Sequence, residues 1–140
     1  MLKNIFKKDK KSSPYNNILI AALLIHAARI DEKYTSNEKE IIKKAVMDLN
    51  SVSEVEAEEI LKKAEKKEEE SNQIVEFTRE IKKHSIEFRL KVIEIIWKIV
   101  YSDGTSDNYE SNLIRRICGL LYISDKDNGI IKTKVVNQLK

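Results

Sequence analysis

The residues of this sequence that are best suited to hold a ligand lie in the acidic stretch YSDGTSDNYE at residues 101–110. Four of its side chains carry oxygen atoms that could bind a metal ion: Asp103, Thr105, Asp107 and Glu110. Oxygen ligands suit hard cations, so Ca²⁺ and Mg²⁺ are the candidate cofactors. The spacing is not that of an EF-hand, because the sixth position counted from Asp103 is Asn108 rather than glycine.

This acidic stretch has a counterpart earlier in the chain, RIDEKYTSNE at residues 29–38. The two belong to a longer repeat, in which residues 20–50 align with residues 92–122 at a constant offset of 72 and without a gap. Apolar residues match apolar residues on both sides of the acidic stretch, at the spacing of a helix that faces a core. The repeat predicts a helix, an acidic loop and a second helix, present twice. Two further candidate ligands match Asp103 and Glu110 in this alignment: Asp31 and Glu38.

Helix capping is an alternative explanation for part of both stretches. Thr35 precedes Glu38 by three residues, and Asp107 precedes Glu110 by the same distance. Both pairs fit a capping box, in which side chains bind free N–H groups at the start of a helix and stabilise it by about 1 kcal/mol. Capping does not explain Asp31, which lies at the end of the preceding helix, where an acid opposes the helix dipole. Cation binding and a tight turn held by hydrogen bonds to aspartate therefore both stay open.

The elements that carry these stretches are predicted to be helices. The chain of 140 residues has only three glycines and one proline, a composition that favours helix over sheet. Start and stop signals predict about seven helices: 14–30, 36–50, one opened by Ser53, one from Asn72 to Lys83, one opened by Ser85, 108–122, and one opened by Ser124. We expect an all-α domain over residues 14–140, with the repeated helix pairs packed around a pseudo-twofold axis, after a basic tail at residues 1–13.

Two expectations concern burial. The fifth helix is apolar over residues 92–100 apart from Glu94 and Lys98, so we expect it to be the most buried. The third helix, within residues 53–70, has eight glutamates against four lysines. We expect it to be long, exposed and acidic.

The net charge and the cysteine content limit the classes of protein to which this chain is expected to belong. The net charge is +3, but five lysines lie in residues 1–13, so the predicted domain is nearly neutral. A protein that binds nucleic acid is expected to carry a basic stripe on its folded surface, and the sequence predicts none, so no nucleic-acid partner is expected. The single cysteine, Cys118, cannot form an internal disulfide and aligns with the apolar Val46. A cytoplasmic location and a core position for Cys118 are therefore expected.

The sequence contains no motif for catalysis. Its serines lie at predicted helix ends or in loops, and neither a glycine-rich phosphate loop nor a nucleophile elbow occurs. His26 aligns with Lys98 on a helix flank, and His84 has no cysteine or second histidine nearby, so zinc is not indicated. We expect a protein that is not an enzyme and that works through a protein partner.

The N-terminal segment MLKNIFKKDKK is the second feature with chemical content. Three apolar side chains would share one side of a helix: Leu2, Ile5 and Phe6. Three lysines beside them could meet anionic lipid headgroups, at about 1 kcal/mol each: Lys3, Lys7 and Lys8. These six residues are candidate contacts with the inner face of a membrane, and a solubilising arm is the alternative.

The stretches RIDEKYTSNE and YSDGTSDNYE, each between apolar helices, resemble the paired motif of the tellurite-resistance TerB family. That motif is an aspartate, often a glycine, and a glutamate several residues later; the first copy departs from it at Glu32 and Lys33. The similarity extends over residues 14–137. The resemblance implies an all-helical domain built from a duplicated unit, acidic residues near helix ends proposed to bind metal, and links to stress response and membrane-associated complexes.

These features together predict a non-enzymatic binding or scaffolding module of a tellurite-type stress response, with a candidate cation at the acidic loop. The alternative is a peripheral membrane adaptor, or a co-chaperone-type interaction domain, attached through the basic tail.

Overall fold

The computed structural model describes residues 14–30, 34–71, 73–103 and 108–138. Several sequence-predicted residues lie outside this part: the tail at residues 1–13, Asp31, Thr105 and Asp107. The side chains of Asp103 and Glu110 are also outside it, although their backbone is described.

The described part of the chain is all-helical. Its seven α-helices are α1 (Pro14–Arg29), α2 (Ser36–Asn50), α3 (Glu54–Glu70), α4 (Val75–Lys82), α5 (Ile86–Val100), α6 (Asn108–Leu120) and α7 (Asp125–Gln138). A single 3₁₀ turn, Tyr101–Asp103, continues α5 toward the second acidic stretch. The predicted fold class is confirmed, and the observed bounds lie close to the predicted ones.

Side-chain caps set most of the helix starts. Thr35 and Ser53 form capping boxes with Glu38 and Glu56, and the Ser124 hydroxyl accepts a hydrogen bond from the backbone N–H of Asp127 at 3.1 Å. The Ser85 hydroxyl accepts a hydrogen bond from the backbone N–H of Phe88 at 3.2 Å. The predicted start of α4 was wrong: the helix begins at Val75, three residues after Asn72, and its N-cap Ile74 offers no side-chain hydrogen bond. Burial of Ile74 fixes that start instead of a polar cap.

Helix α1 is the centre of the fold. Every residue from Leu19 to Ala28 is buried except His26. The helix packs against at least five of the other described helices, namely α2, α3, α4, α5 and α6. Such a helix is apolar around its whole circumference and is stable only when other helices cover all of its sides. The expectation that α5 would be the most buried helix was therefore wrong, although α5 contributes seven residues to the same core.

Helix α3 packs more extensively on α1 than any other helix does. Its inner face is lined by Ala57, Ile60, Leu61 and Ala64, all buried. The two alanines let the α1 and α3 backbones approach closely, because they add little between the helix axes. We expected a long, exposed and acidic third helix, and that description fits only its outer face.

The helix starts follow the offset seen in the sequence. Helices α1 and α5 begin 72 residues apart, and so do α2 and α6. Superposition of the two pairs and the pseudo-twofold axis stay predictions.

The central packing predicts a large cost for truncating Ile96, a fully buried α5 side chain. We expect Ile96→Ala to lower the free energy of unfolding by about 2–5 kcal/mol, because the cavity cannot collapse fully. Val55→Ala is the control, since Val55 is 67% exposed. This variant should change the free energy of unfolding by about 0.5 kcal/mol or less. Urea unfolding followed by circular dichroism measures both, and equal effects would contradict the assigned core.

Candidate functional site

In the first acidic stretch, Glu38 takes part in capping the N-terminus of α2. The Glu38 carboxylate oxygen Oε1 accepts hydrogen bonds from the backbone N–H of Thr35 at 2.8 Å and from the Thr35 hydroxyl at 3.2 Å. The Thr35 hydroxyl accepts in turn from the N–H of Glu38 at 3.1 Å. Glu38 is only 6% exposed, so this capping box is largely removed from solvent. The capping explanation is confirmed for this pair, and one of the two candidate ligand oxygens of Glu38 is already engaged.

Protein cations lie close to this first turn. The Tyr34 ring, directly before the cap, has the Arg29 guanidinium 5.1 Å from its centroid and the Lys39 ammonium 4.9 Å from it. The Tyr34 hydroxyl donates to Glu65 of α3 at 2.9 Å, and Lys39 lies 3.5 Å from the same carboxylate. Burial and then the hydrogen bond to Glu65 raise the pKa of Tyr34 well above its usual value. The phenol therefore stays a neutral donor between the two cations.

A second carboxylate of α3 binds the end of α1. Glu68 accepts from Arg29 at 2.6 Å through one oxygen and lies 3.1 Å from Nδ1 of His26 through the other. Only 12% of the Glu68 side chain is exposed, against 26% for that of Arg29. Charge-assisted hydrogen bonds of this kind are stronger than neutral ones. The pair therefore ties the C-terminal end of α1 to α3 at the edge of the core.

We call these residues the α1–α3 charge cluster: His26, Arg29, Tyr34, Lys39, Glu65 and Glu68. The sequence did not indicate it, since its hydrogen bonds and ion pairs with α3 join positions 26 to 42 residues apart. A signal was present in the matching i, i+3 spacing of His26 and Arg29 on one helix and of Glu65 and Glu68 on another. Nothing in the sequence indicated which helices would pack together or which of their faces would meet.

The second acidic stretch differs from the first in its surrounding charges. At the offset of 72, the cationic Arg29, Lys33 and Lys39 correspond to Tyr101, Thr105 and Ser111. Three positive side chains around the first stretch are thus replaced by three neutral hydroxyl-bearing side chains around the second. The second copy lacks the acidic partners of the charge cluster, because α3 and α7 begin 71 residues apart and at that offset Glu65 and Glu68 correspond to Val136 and Leu139.

The structure assigns structural roles to the other polar groups that the sequence analysis considered. Cys118 is buried, and burial raises the pKa of its thiol to about 12, so the thiol is protonated at neutral pH. Trp97 is buried, and its indole N–H donates to Asn128 of α7 at 2.9 Å. Among the described residues there is no group of three or more His, Cys, Asp or Glu that could hold a metal ion. The described helices also include none that is long and apolar enough to cross a membrane.

Comparison with known families gives one match. The family model "Tellurite resistance protein TerB" matches residues 17–133, which is most of the chain and includes both acidic stretches. No curated protein and no solved structure matched the chain significantly.

The α1–α3 charge cluster predicts a specific stability effect at Glu68. We expect Glu68→Gln to lower the free energy of unfolding by about 1–3 kcal/mol, because Arg29 and His26 lose their shared anionic acceptor. Glu69→Gln is the matched control: Glu69 lies next in sequence, is 65% exposed and reaches Arg29 at only 3.4 Å. Its effect should be about 0.5 kcal/mol or less, as for exposed ion pairs. Chemical denaturation of both variants checks this, and equal losses would exclude a special role for Glu68.

Proposed function

The chain belongs to the tellurite resistance protein TerB family, and from that premise we propose that it is a non-enzymatic binding or scaffolding module of a tellurite-type stress response. Its ligand-binding element is the second acidic stretch, where a divalent cation, Ca²⁺ or Mg²⁺, is held by side-chain oxygens of Asp103, Thr105, Asp107 and Glu110. The bound cation supplies positive charge that links α5 to α6. A protein partner then recognises the surface that the cation orders.

The observation that carries this proposal is the difference in charge between the two acidic stretches. In the first stretch Arg29 and Lys39 lie beside Tyr34, and Arg29 also reaches the carboxylates of α3. Acids near such side chains are already compensated by protein cations. At the corresponding positions around the second stretch the side chains are neutral, and we infer that a cation from solution supplies the positive charge there. The four candidate ligands are also of the oxygen type that hard cations prefer.

The non-enzymatic part of the proposal is supported by how the polar groups of the described core are used. The cluster carboxylates Glu65 and Glu68 are committed to partners on other elements. The only thiol is buried and protonated at neutral pH. Groups held in this way stabilise helix packing and are poorly placed to accept or transfer a proton on a substrate.

Cation titration followed by amide NMR tests the proposal. We expect the resonances of residues 103–110 to shift saturably as Ca²⁺ or Mg²⁺ is raised to millimolar concentration. Asp103→Asn combined with Asp107→Asn should abolish the shifts, because both carboxylate charges are lost. Asp31→Asn is the matched control at the equivalent position and should leave them unchanged. Absence of saturable shifts in the unmodified chain would remove the cation from the proposed function.

A converse variant tests the charge argument itself. The double variant Thr105→Lys with Ser111→Lys places lysines at the second stretch in positions equivalent to those of two cations at the first stretch. It leaves the other three candidate ligands in place. Cation affinity should fall about tenfold or more, since one unit charge a few ångströms from the ion is worth about 1 kcal/mol or more. Thr105→Gln with Ser111→Gln is the neutral control of similar size. If both double variants bind equally weakly, loss of ligands rather than charge explains the effect.

A second candidate function is that of a peripheral membrane adaptor, and the composition of the N-terminal segment favours it. Leu2, Ile5 and Phe6 provide one apolar turn, and the lysines around them provide charge for anionic headgroups. The full chain should sediment with vesicles that contain phosphatidylserine at low salt, and less at high salt. Replacement of Lys3, Lys7 and Lys8 by glutamine should abolish sedimentation. Equal sedimentation with vesicles of phosphatidylcholine alone would contradict this candidate.

A further inference from the structure

An open groove lies between α5 and α7, on residues that neither the charge cluster nor the acidic stretches use. Its volume is about 470 Å³. The lining comes from both helices: Glu87, Leu90, Lys91 and Glu94 from α5, and Asp127, Ile130, Ile131 and Lys134 from α7. We call it the α5–α7 groove.

The groove exposes apolar side chains to solvent. Ile130 is 58% exposed, while Leu90 and Ile131 are half-buried at the edge of the core. Exposed aliphatic side chains are ordinary when they are isolated, but here three of them line one concavity between two helices. Covering them would remove apolar surface from water at about 25 cal/mol per Å².

Some charged side chains of the groove have ion-pair partners and others do not. Glu94 accepts from Lys134 at 3.0 Å and lies 3.2 Å from Lys98. Although its partial burial alone would raise the pKa of Glu94, the hydrogen bonds from these two lysines hold that pKa below its usual value. In contrast, the carboxylates of Glu87 and Asp127 have no ion pair among the residues that the structure describes. Lys91 is the only lining cation that is likewise unpaired.

The occupant that fits such a groove is a short segment with one apolar turn flanked by lysines. The chain itself carries one, with Leu2, Ile5 and Phe6 at helical spacing and Lys3, Lys7 and Lys8 around them. We propose that the α5–α7 groove binds residues 2–8 of the same chain, with the apolar turn on Leu90, Ile130 and Ile131 and the lysines facing Glu87 and Asp127.

Chain length and tethering both permit this arrangement. The seven residues between Phe6 and Pro14 span up to about 25 Å when extended. A compact domain of this length has a radius of gyration of about 14 Å, so that span is comparable with the dimensions of the domain. A tethered segment has an effective concentration in the millimolar range, so a shallow groove with modest affinity is occupied in the same chain before it is occupied by a second one.

This inference goes beyond the proposed function and gives the tail a regulated role. The side chains that would enter a membrane are the ones that would fill the groove, so the two placements exclude each other. Anionic lipid then competes with Glu87 and Asp127 for the same lysines.

Paramagnetic relaxation in the full chain tests the docking. An Asn4→Cys variant carries a nitroxide label at residue 4, and Cys118 is left in place because its buried, protonated thiol does not react in the folded protein. We expect the amide signals of Leu90, Ile130 and Ile131 to lose most of their intensity, and those of the outer face of α3 around Glu58 to keep theirs. Retained intensity throughout the groove would overturn the proposal.

A mixed sample separates the same chain from a second copy. Isotope-labelled chain without nitroxide is combined with unlabelled chain that carries it. The groove signals should keep their intensity in this mixture, because the segment binds within its own chain. Broadening in the mixture equal to that in the singly labelled chain would show exchange between copies and would overturn docking within one chain.

Charge reversal provides the matched variants. Glu87→Lys with Asp127→Lys should restore most of the groove intensity in the nitroxide-labelled chain, whereas Glu58→Lys with Glu59→Lys on α3 should not. Adding Lys3→Glu, Lys7→Glu and Lys8→Glu to the groove variant should bring the broadening back by exchanging the charges. Far-ultraviolet circular dichroism checks that each variant is folded. Broadening that is indifferent to all of these changes would refute recognition through Glu87 and Asp127.

Discussion

Helix α1 has almost no polar side, and the requirement to cover it on all sides organises the fold. Nine apolar residues between Leu19 and Ala28 are buried, and five helices surround them. At about 25 cal/mol per Å² of apolar surface, burial of this helix is a large favourable contribution. Polar contacts can occur only where the helix leaves the core. His26 and Arg29 lie at that exit, where the positive charge of Arg29 interacts favourably with the negative end of the helix dipole.

The charge cluster follows from this constraint. Arg29 emerges from an apolar environment and needs an acceptor, because a partly buried guanidinium without a partner is costly. Glu68 supplies it from the helix whose alanines approach α1 most closely. Tyr34 and Lys39 then extend the contact to the start of α2 through Glu65. The described residues on both sides of the first acidic stretch are therefore held against α3 by direct contacts between protein groups.

Local signals made most of the fold predictable. Thr35, Ser53 and Ser85 carry hydroxyls that bond the N–H groups of the following turn, so the helix starts could be derived from short spacings alone. The start of α4 could not, because Ile74 acts there through burial and leaves no polar signature. Relative burial was also misjudged, since an apolar run shows that a helix is covered and does not show how many neighbours cover it. The pairing of Glu68 with Arg29 depends on how α3 is rotated about its axis on α1, which is a tertiary property.

Helices α3 and α7 pack against their neighbours in different ways. Helix α3 is sealed onto α1 by small buried side chains and by the charge cluster, so its inner face has no room for a ligand. In α7 only Val135 is buried, and the helix is held to α5 by the hydrogen bond from Trp97 to Asn128 and by the pair of Glu94 with Lys134. Polar links of this kind fix position and leave apolar surface uncovered between them. The open surface therefore lies on the other side of the core, between α5 and α7.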